Sequence, residues 1–407
     1  MEKKNINIIY ITTSCSKNKF IELQKKGINR DVPQAQKYHR LLIDGIGENI
    51  NNELNIISAY PTNRKWSKKI FFASETEYIN NLRYKYVSFF NIPLVRQIGI
   101  YFATIKEIRQ KIKKDSVIVC DIWNQTFSKA ARKMAKKYNV PVVGIVTDVP
   151  GYRSDAYKDN RLSIKQIISD WVEKNSVINM SKFDGYLLLT KDMEKVVNPL
   201  NKPSIILEGH ADEQMASIKK FPPKNNPKIV MYAGTIHREY AIPEMVDAFL
   251  KGNYLDWELH IYGKGNYSDE LSVIAQENKN IVYHGLIPNN EIVEAQLKAC
   301  LIINPRPVKG EYVKYSFPSK TLEAMASGTP LLTTKLPGIP KDYYPYIYLF
   351  EDDSEAAFIS GFEETLKISE KDLQNKGKKA REFAMNNKNN IVQAAHFCLF
   401  LQKLIKG

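Results

Sequence analysis

The segment Lys314-Tyr315-Ser316-Phe317-Pro318-Ser319-Lys320-Thr321-Leu322-Glu323-Ala324-Met325-Ala326-Ser327-Gly328-Thr329-Pro330 gathers residue types that can hold a charged nucleotide. Pro318 precedes a helical pattern, Gly328 stops it, and Pro330 opens the next apolar run. The first turn of such a helix points amide N–H groups and a partial positive charge outward, which suits a diphosphate. Ser319 and Lys320 fall in that turn. Lys320 opposes the helix dipole but adds a point charge where a phosphate would sit; the alternative is a solvated first-turn lysine. Glu323, one turn on, can accept two hydroxyl hydrogen bonds, the pair a ribose offers.

Two carboxylates follow strand-like runs. Asp148 comes after Val142–Thr147, and Asp121 after Ser116–Cys120. Facing a ligand at that strand end, Asp148 would stabilise developing positive charge or accept a proton. Its alternative is to cap the turn Val149-Pro150-Gly151. Asp121 is expected to cap the helix starting near Gln125. No Asp-x-Asp occurs, and Glu351-Asp352-Asp353 reads as a turn cap. Cys15, Cys120, Cys300 and Cys398 form no CxxC, so neither a zinc site nor a disulfide framework is expected and a reducing compartment fits. We expect no metal and no cofactor.

The elements that must position these groups alternate along the whole chain. Apolar, β-branched runs predict strands at Ile6–Thr12, Leu54–Ala59, Ser116–Cys120, Val142–Thr147, Gly185–Leu189 and Ser204–Leu207. A second set covers Lys228–Ala233, Glu258–Tyr262, Ile281–Tyr283, Cys300–Ile303, Pro330–Thr333 and Tyr346–Phe350. Helical patterns lie between, at Gln125–Lys137, Ala241–Leu250, Asn290–Lys298 and Ser319–Ser327. Such βαβ alternation predicts parallel sheets with helices on both faces. At 407 residues the chain is too long for one core, and two domains are expected. Residues 1–207 form the first, 208–380 the second, and 381–407 a helical segment, broken near Asn386-Asn387, that packs back on the first. The polar, proline-rich Phe221-Pro222-Pro223-Lys224-Asn225-Asn226-Pro227 reads as a linker. Ligands of such sheets bind outside the strand carboxyl ends, so the cleft between two α/β domains is the expected site.

Lys314–Pro330 resembles the nucleotide-sugar signature of family-4 glycosyltransferases, which have the GT-B fold. The likeness extends over most of the second half. Tyr232-Ala233-Gly234-Thr235-Ile236, followed by Ile242 to Phe249, looks like that family's first donor-domain strand, loop and helix. Ile261-Tyr262-Gly263-Lys264-Gly265 looks like its strand-then-glycine turn, and Val282-Tyr283-His284-Gly285-Leu286-Ile287-Pro288 like the segment at the nucleotide base. The resemblance implies an α/β GT-B fold of two Rossmann-like domains facing a cleft. It also implies a retaining glycosyltransferase, hexosyl in type, that uses a UDP-linked sugar to extend a glycan or lipid-linked acceptor in cell-surface polysaccharide synthesis. The donor residues it implies are Gly234, Arg238, Gly263, His284, Gly285, Leu286, Tyr315, Ser316, Ser319, Lys320 and Glu323. Tyr315 stands where the family carries the first Glu of a Glu-x7-Glu pair, and Thr147 where it often carries a histidine. Thr235 and Tyr240 replace an Arg and a Lys. The segment Glu208-Gly209-His210-Ala211-Asp212 matches the place of a small hinge. His260, inside a strand pattern, reads as a core histidine.

Charge separates the halves. Residues 1–200 carry a net +15 and residues 201–407 a net zero. So strong a field in the first half attracts anionic partners. The basic, aromatic segments Arg64-Lys65-Trp66-Ser67-Lys68-Lys69-Ile70-Phe71-Phe72 and Arg83-Tyr84-Lys85-Tyr86 suggest an anionic membrane surface met by the N-terminal domain. No signal peptide or spanning segment is read, so the expected location is the cytoplasm, peripheral on the inner membrane face. Nucleic acid is not the expected partner. The alternatives are an auxiliary subunit of a glycosyltransferase complex, and a nucleic-acid-binding protein with a degenerate nucleotide-sugar domain. An epimerase or a phosphorylase-like enzyme is disfavoured by the Ser319–Gly328 signature.

Overall fold

The computed structural model describes residues 2–28, 34–64, 66–149, 178–218, 227–252 and 254–406. Lys65, the turn residues Pro150 and Gly151, and linker residues 221–226 lie outside them. The chain divides into two compact units. One comprises residues up to His210 together with Asn390 onward, the other Ala211–Asn389.

The first unit holds β1 (Asn7–Thr12), β2 (Leu54–Ser58), β3 (Phe71–Phe72), β4 (Glu75–Ile79), β5 (Leu82–Tyr86), β6 (Phe89–Phe90), β7 (Ser116–Asp121), β8 (Val142–Val146), β9 (Gly185–Leu188) and β10 (Ser204–Ile206). Its main sheet runs β10-β9-β8-β7-β1-β2-β5-β4, parallel except for β4 against β5. β7 and β8 are buried at every residue, which is why they read as unbroken apolar runs and not as alternation. Order reverses between β1 and β7, where two parallel windings diverge.

Arg83-Tyr84-Lys85-Tyr86 corrects the sequence reading. It is no membrane-facing segment but most of β5, paired in parallel with β2. Tyr84 and Tyr86 are buried, with Tyr86 stacked on Tyr60 at 5.1 Å. The Arg83 guanidinium, also buried, meets Glu107 at 3.3 Å, because a charge out of water needs a partner. The final helix, Asn390–Lys406, packs on the helix Gln34–Asn49. Gly45 sets the approach, since a Cβ there would lie 2.1 Å from the Asn390 carbonyl. Asn390 Nδ2 donates to the Leu41 carbonyl at 3.2 Å and Asn49 Nδ2 to that of Ile391 at 2.8 Å.

The second unit holds β11 (Lys228–Ala233), β12 (Trp257–Tyr262), β13 (Ile281–Gly285), β14 (Leu301–Asn304), β15 (Leu331–Thr334) and β16 (Tyr348–Phe350). All pair in parallel in the order β13-β12-β11-β14-β15-β16. That is the Rossmann winding, with its switch point between β11 and β14. One sheet face buries Val230, Leu259, Met245, Phe249, Phe358 and Phe362. The other packs Ile302, Leu331, Phe317, Met325 and Tyr343. The helix Ser319–Ser327 ends at Gly328 in the left-handed conformation. Its Ala326 carbonyl accepts from Arg381, whose other nitrogen reaches the carbonyls of Met215 and Ile218. The two units are thus Rossmann-like α/β domains, each with a largely or wholly parallel sheet.

Among the described residues no helix is long and apolar enough to cross a membrane, and no group of three or more His, Cys, Asp or Glu could hold a metal ion. All four cysteines are buried thiols.

Candidate functional site

The carboxyl edge of the second sheet is built from glycines. A hydrogen-bond ladder joins three consecutive loops: Gly263 N–H donates to the Gly285 carbonyl at 2.7 Å, and Gly234 N–H to the Tyr262 carbonyl at 2.9 Å. Gly263 has φ +132°, and a Cβ there would sit 1.7 Å from the Gly234 carbonyl oxygen. Only glycine satisfies both demands. Gly265 is pressed as closely against the Ile236 carbonyl, at 1.9 Å. Gly285, at φ +66°, has open space where its side chain would be.

Lys320 enters this edge from the helix Ser319–Ser327. Its ammonium donates to the Ala233 carbonyl, lies 5.3 Å over the Tyr232 ring, and occupies the space a Cβ on Gly234 would need. Burial drives its pKa down to about 7; the nearby Arg306 guanidinium lowers it further and Glu323 opposes both. A cation held so near neutrality gains most from an arriving anion. Pro318 fills the N-cap and supplies no side-chain cap, so the first-turn amides suit an external acceptor. Ser319, Lys320 and Glu323 are all half-buried. The structure therefore brings Gly234, Ser319, Lys320 and Glu323 together at the switch point.

Arg306 went unread in the sequence. It follows β14, with its backbone N–H donating to Thr334 Oγ1 at 2.9 Å and its guanidinium 4.9 Å over the Tyr240 ring. The available signal was position, a basic residue two places past a strand on the switch-point side. Arg238 was expected among the donor residues, with Lys320 as the other candidate for the phosphates. It is exposed, ion-paired to Glu270 and 4.9 Å over Tyr267.

At the β12–β13 end, His284 stacks on Tyr262 with ring centroids 4.1 Å apart and planes within 3°. His260 is not a plain core histidine. Its Nε2 faces Glu258 at 2.9 Å, and its Nδ1 faces His284 Nε2 at 3.1 Å. A carboxylate can only accept, so neutral His260 donates from Nε2 and accepts at Nδ1. His284 then donates from Nε2 and keeps Nδ1 as an acceptor. Partial burial, and then the neighbouring His260, hold the His284 pKa below its ordinary value. Leu286 is 75 % exposed at the same end. Tyr315 closes the short 3-10 turn Glu311–Tyr315. The carbonyl of exposed Ser316 abuts Gly338, where a Cβ would come within 2.0 Å.

In the first unit Asp148 lies two residues past β8, exposed, with Oδ1 accepting the Val149 N–H at 3.0 Å and its carbonyl accepting Trp123 Nε1–H at 3.2 Å. Asp121 does not cap the following helix. Asn124 does, accepting from Thr126 and Phe127. Asp121 instead takes the Trp123 N–H at 3.1 Å and faces His39 Nε2 at 3.6 Å. The difference is one of reach, since Asn124 is the residue adjoining the helix. Asp352 takes the Ser354 N–H at 2.8 Å, bracing a turn.

Residues 213–383 match the profile of the family Glycosyl transferases group 1. No curated protein matches the chain in sequence. Solved structures similar to the chain include sucrose-phosphate synthase from Thermosynechococcus elongatus, at 13% identity and TM-score 0.68, covering 98% of this chain and 99% of that one. HepE from Anabaena in complex with UDP is similar at 10% identity and TM-score 0.61, covering 98% and 100%. The lipopolysaccharide outer core galactosyltransferase WaaB is similar at 14% identity and TM-score 0.61, covering 97% and 99%. At such identities these likenesses establish the fold, while the family profile covers the Gly234–Lys320–Glu323 edge itself. The chain has the GT-B fold, residues 213–383 of its second unit match the Glycosyl transferases group 1 profile, and the protein is a glycosyltransferase.

Proposed function

We propose that the protein transfers a hexose from UDP, with retention of anomeric configuration, to a glycan or lipid-linked acceptor in the synthesis of a cell-surface polysaccharide. The observation that carries this reading is the meeting of Lys320, Glu323 and the Gly234 loop at the switch point of the second sheet. A diphosphate there meets the first-turn amides of the helix Ser319–Ser327 together with Lys320 and Arg306. Glu323 accepts the ribose hydroxyls. The base lies toward His284, Gly285 and Leu286. Structures similar to this chain were solved with UDP, with UDP and glucose, and with UDP-2-fluoro glucose, which supports the uridine choice. WaaB supports a glycan acceptor.

The amides and cations stabilise the diphosphate as the anomeric C–O bond breaks. The acceptor oxygen bonds to the anomeric carbon on the same face, and its proton passes to Asp148. The strongly basic first half supports a position at the inner membrane face, where a lipid-linked acceptor is presented.

The test is a thermal-shift panel of UDP, GDP, ADP and CDP, followed by the matching sugar nucleotides. UDP and one UDP-hexose are expected to raise the melting temperature most. A flat panel would refute the reading. The anomeric configuration of the product, read by NMR, tests retention, and Asp148→Asn is expected to lower turnover while leaving the UDP shift intact.

A further inference from the structure

β3 and β6 form an antiparallel ribbon, Phe71 opposite Phe90 and Phe72 opposite Phe89. Strand alternation turns Phe72 and Phe89 inward, stacked at 5.0 Å. Phe71 and Phe90 turn outward, touching each other at 4.9 Å and exposed. From β6 the chain runs through Ile92-Pro93-Leu94 into the helix Val95–Lys111, which packs on the ribbon. That helix buries Ile100, Thr104 and Ile108. Its opposite stripe, at spacing i, i+4 and i+8, shows Leu94, Ile98 and Phe102 to solvent, 78, 59 and 63 % exposed. Ile70 and Ile92 extend the same apolar surface. Leu94 also holds φ +67°, a backbone state costly for a leucine.

The two segments that carry this surface hold charge of one sign. Residues 61–74 and 87–106 contain Arg64, Lys65, Lys68, Lys69, Arg96 and Lys106, and neither segment contains an Asp or Glu. Lys68 and Lys69 are exposed beside Ile70, and exposed Lys106 lies one turn beyond Phe102. Exposed apolar surface on this scale marks an interaction site.

We infer that this face docks on an anionic lipid bilayer. Leu94, Ile98, Phe102, Phe71 and Phe90 enter the headgroup–acyl boundary, and the lysines meet lipid phosphates. The inference deepens the proposed function and rests on it for the lipid-linked acceptor, though the surface stands on its own geometry. The exposed phenylalanines could stack on bases, but aliphatic Leu94, Ile98, Ile70 and Ile92 make up as much of the face and suit acyl chains instead. Two such faces brought together would oppose basic rims to each other.

The full chain is sedimented with vesicles of phosphatidylcholine alone and of phosphatidylcholine with phosphatidylglycerol. Binding to the anionic vesicles is expected to be at least about tenfold tighter and to weaken as salt rises. The double variant Ile98→Ser, Phe102→Ser is expected to lose about tenfold or more in vesicle binding, with its melting temperature and its UDP shift unchanged. Lys68→Gln with Lys69→Gln is expected to flatten the salt dependence. Unchanged vesicle binding by the Ile98, Phe102 variant would overturn the inference. So would no binding by the parent chain, or a dimer in gel filtration that this variant dissolves. Vesicle binding with a flat nucleotide panel would leave the docking face standing and refute the donor reading alone.

Discussion

The carboxyl edges of the two sheets share a winding and are filled in opposite ways. In the second unit the loops after β11, β12 and β13 are glycines locked by backbone hydrogen bonds. What projects there is a half-buried cation, Lys320, with Glu323 beside it. In the first unit the corresponding end is packed with side chains. His39 Nδ1 meets Tyr10 Oη at 2.6 Å, and His210 lies against Tyr38 with centroids 4.4 Å apart. Burial keeps both imidazoles neutral, His210 with its pKa driven down to about 3. An edge of glycines leaves room and a cation for an anion, whereas an edge of buried rings is already full. Topology alone assigns neither role; the loop residues do.

Refilling the glycine edge is the severest challenge to this contrast. Gly263→Ala would combine a φ of +132° with a Cβ 1.7 Å from a carbonyl oxygen. We expect a strain of roughly 1–3 kcal/mol or more, read as a lower melting temperature, and loss of the UDP shift. Next comes Glu323→Ala, expected to weaken UDP binding by about tenfold to a hundredfold, or roughly 1.4–2.7 kcal/mol in calorimetry. Unchanged affinity would remove Glu323 from the ribose.

Lys320 makes a pH prediction. Its folded pKa of about 7 lies below the ordinary lysine value, so between these two values the unfolded chain binds more protons than the folded one. Stability of the apoprotein therefore rises with pH from about 7 toward the ordinary lysine value, and Lys320→Met is expected to flatten that slope. UDP binding, which favours the ammonium, is expected to weaken over the same window in the parent chain but not in the variant. The smallest effect is expected at Arg238→Ala. Removing an exposed ion pair costs about 0.5 kcal/mol or less in urea melts, and UDP affinity is expected to fall less than in Arg306→Ala.

Much of this arrangement was legible in the sequence because it is local. The helix Ser319–Ser327 and the six strands of the second unit follow from short-range pattern, with ends within two residues. So do the left-handed stop at Gly328 and the break between the helices Glu370–Asn387 and Asn390–Lys406. β5 was not legible. Arg83 and Lys85 interleaved with tyrosines look like surface until Glu107, 24 residues away, supplies the partner that lets Arg83 be buried. Arg306 was missed for a similar reason, since its importance depends on lying near Lys320, which sequence distance does not reveal. Asp121 was misassigned because Asn124, closer to the helix, takes the cap.

The sequence by itself determined the α/β class, the helix start that suits a diphosphate and the concentration of positive charge in the first half, and its motifs carried the resemblance to nucleotide-sugar transferases. Each depends on interactions within a few residues or on a simple sum. Tertiary structure alone decided that Lys320 lies against Gly234 and loses its proton easily, that His260 orients His284, and that Arg83–Tyr86 turns inward. It also decided that the apolar surface belongs to Phe71, Phe90 and the outer stripe of the helix Val95–Lys111. Burial, pKa and exposure are set by atoms brought together across the sheet, and no local pattern encodes which atoms those will be.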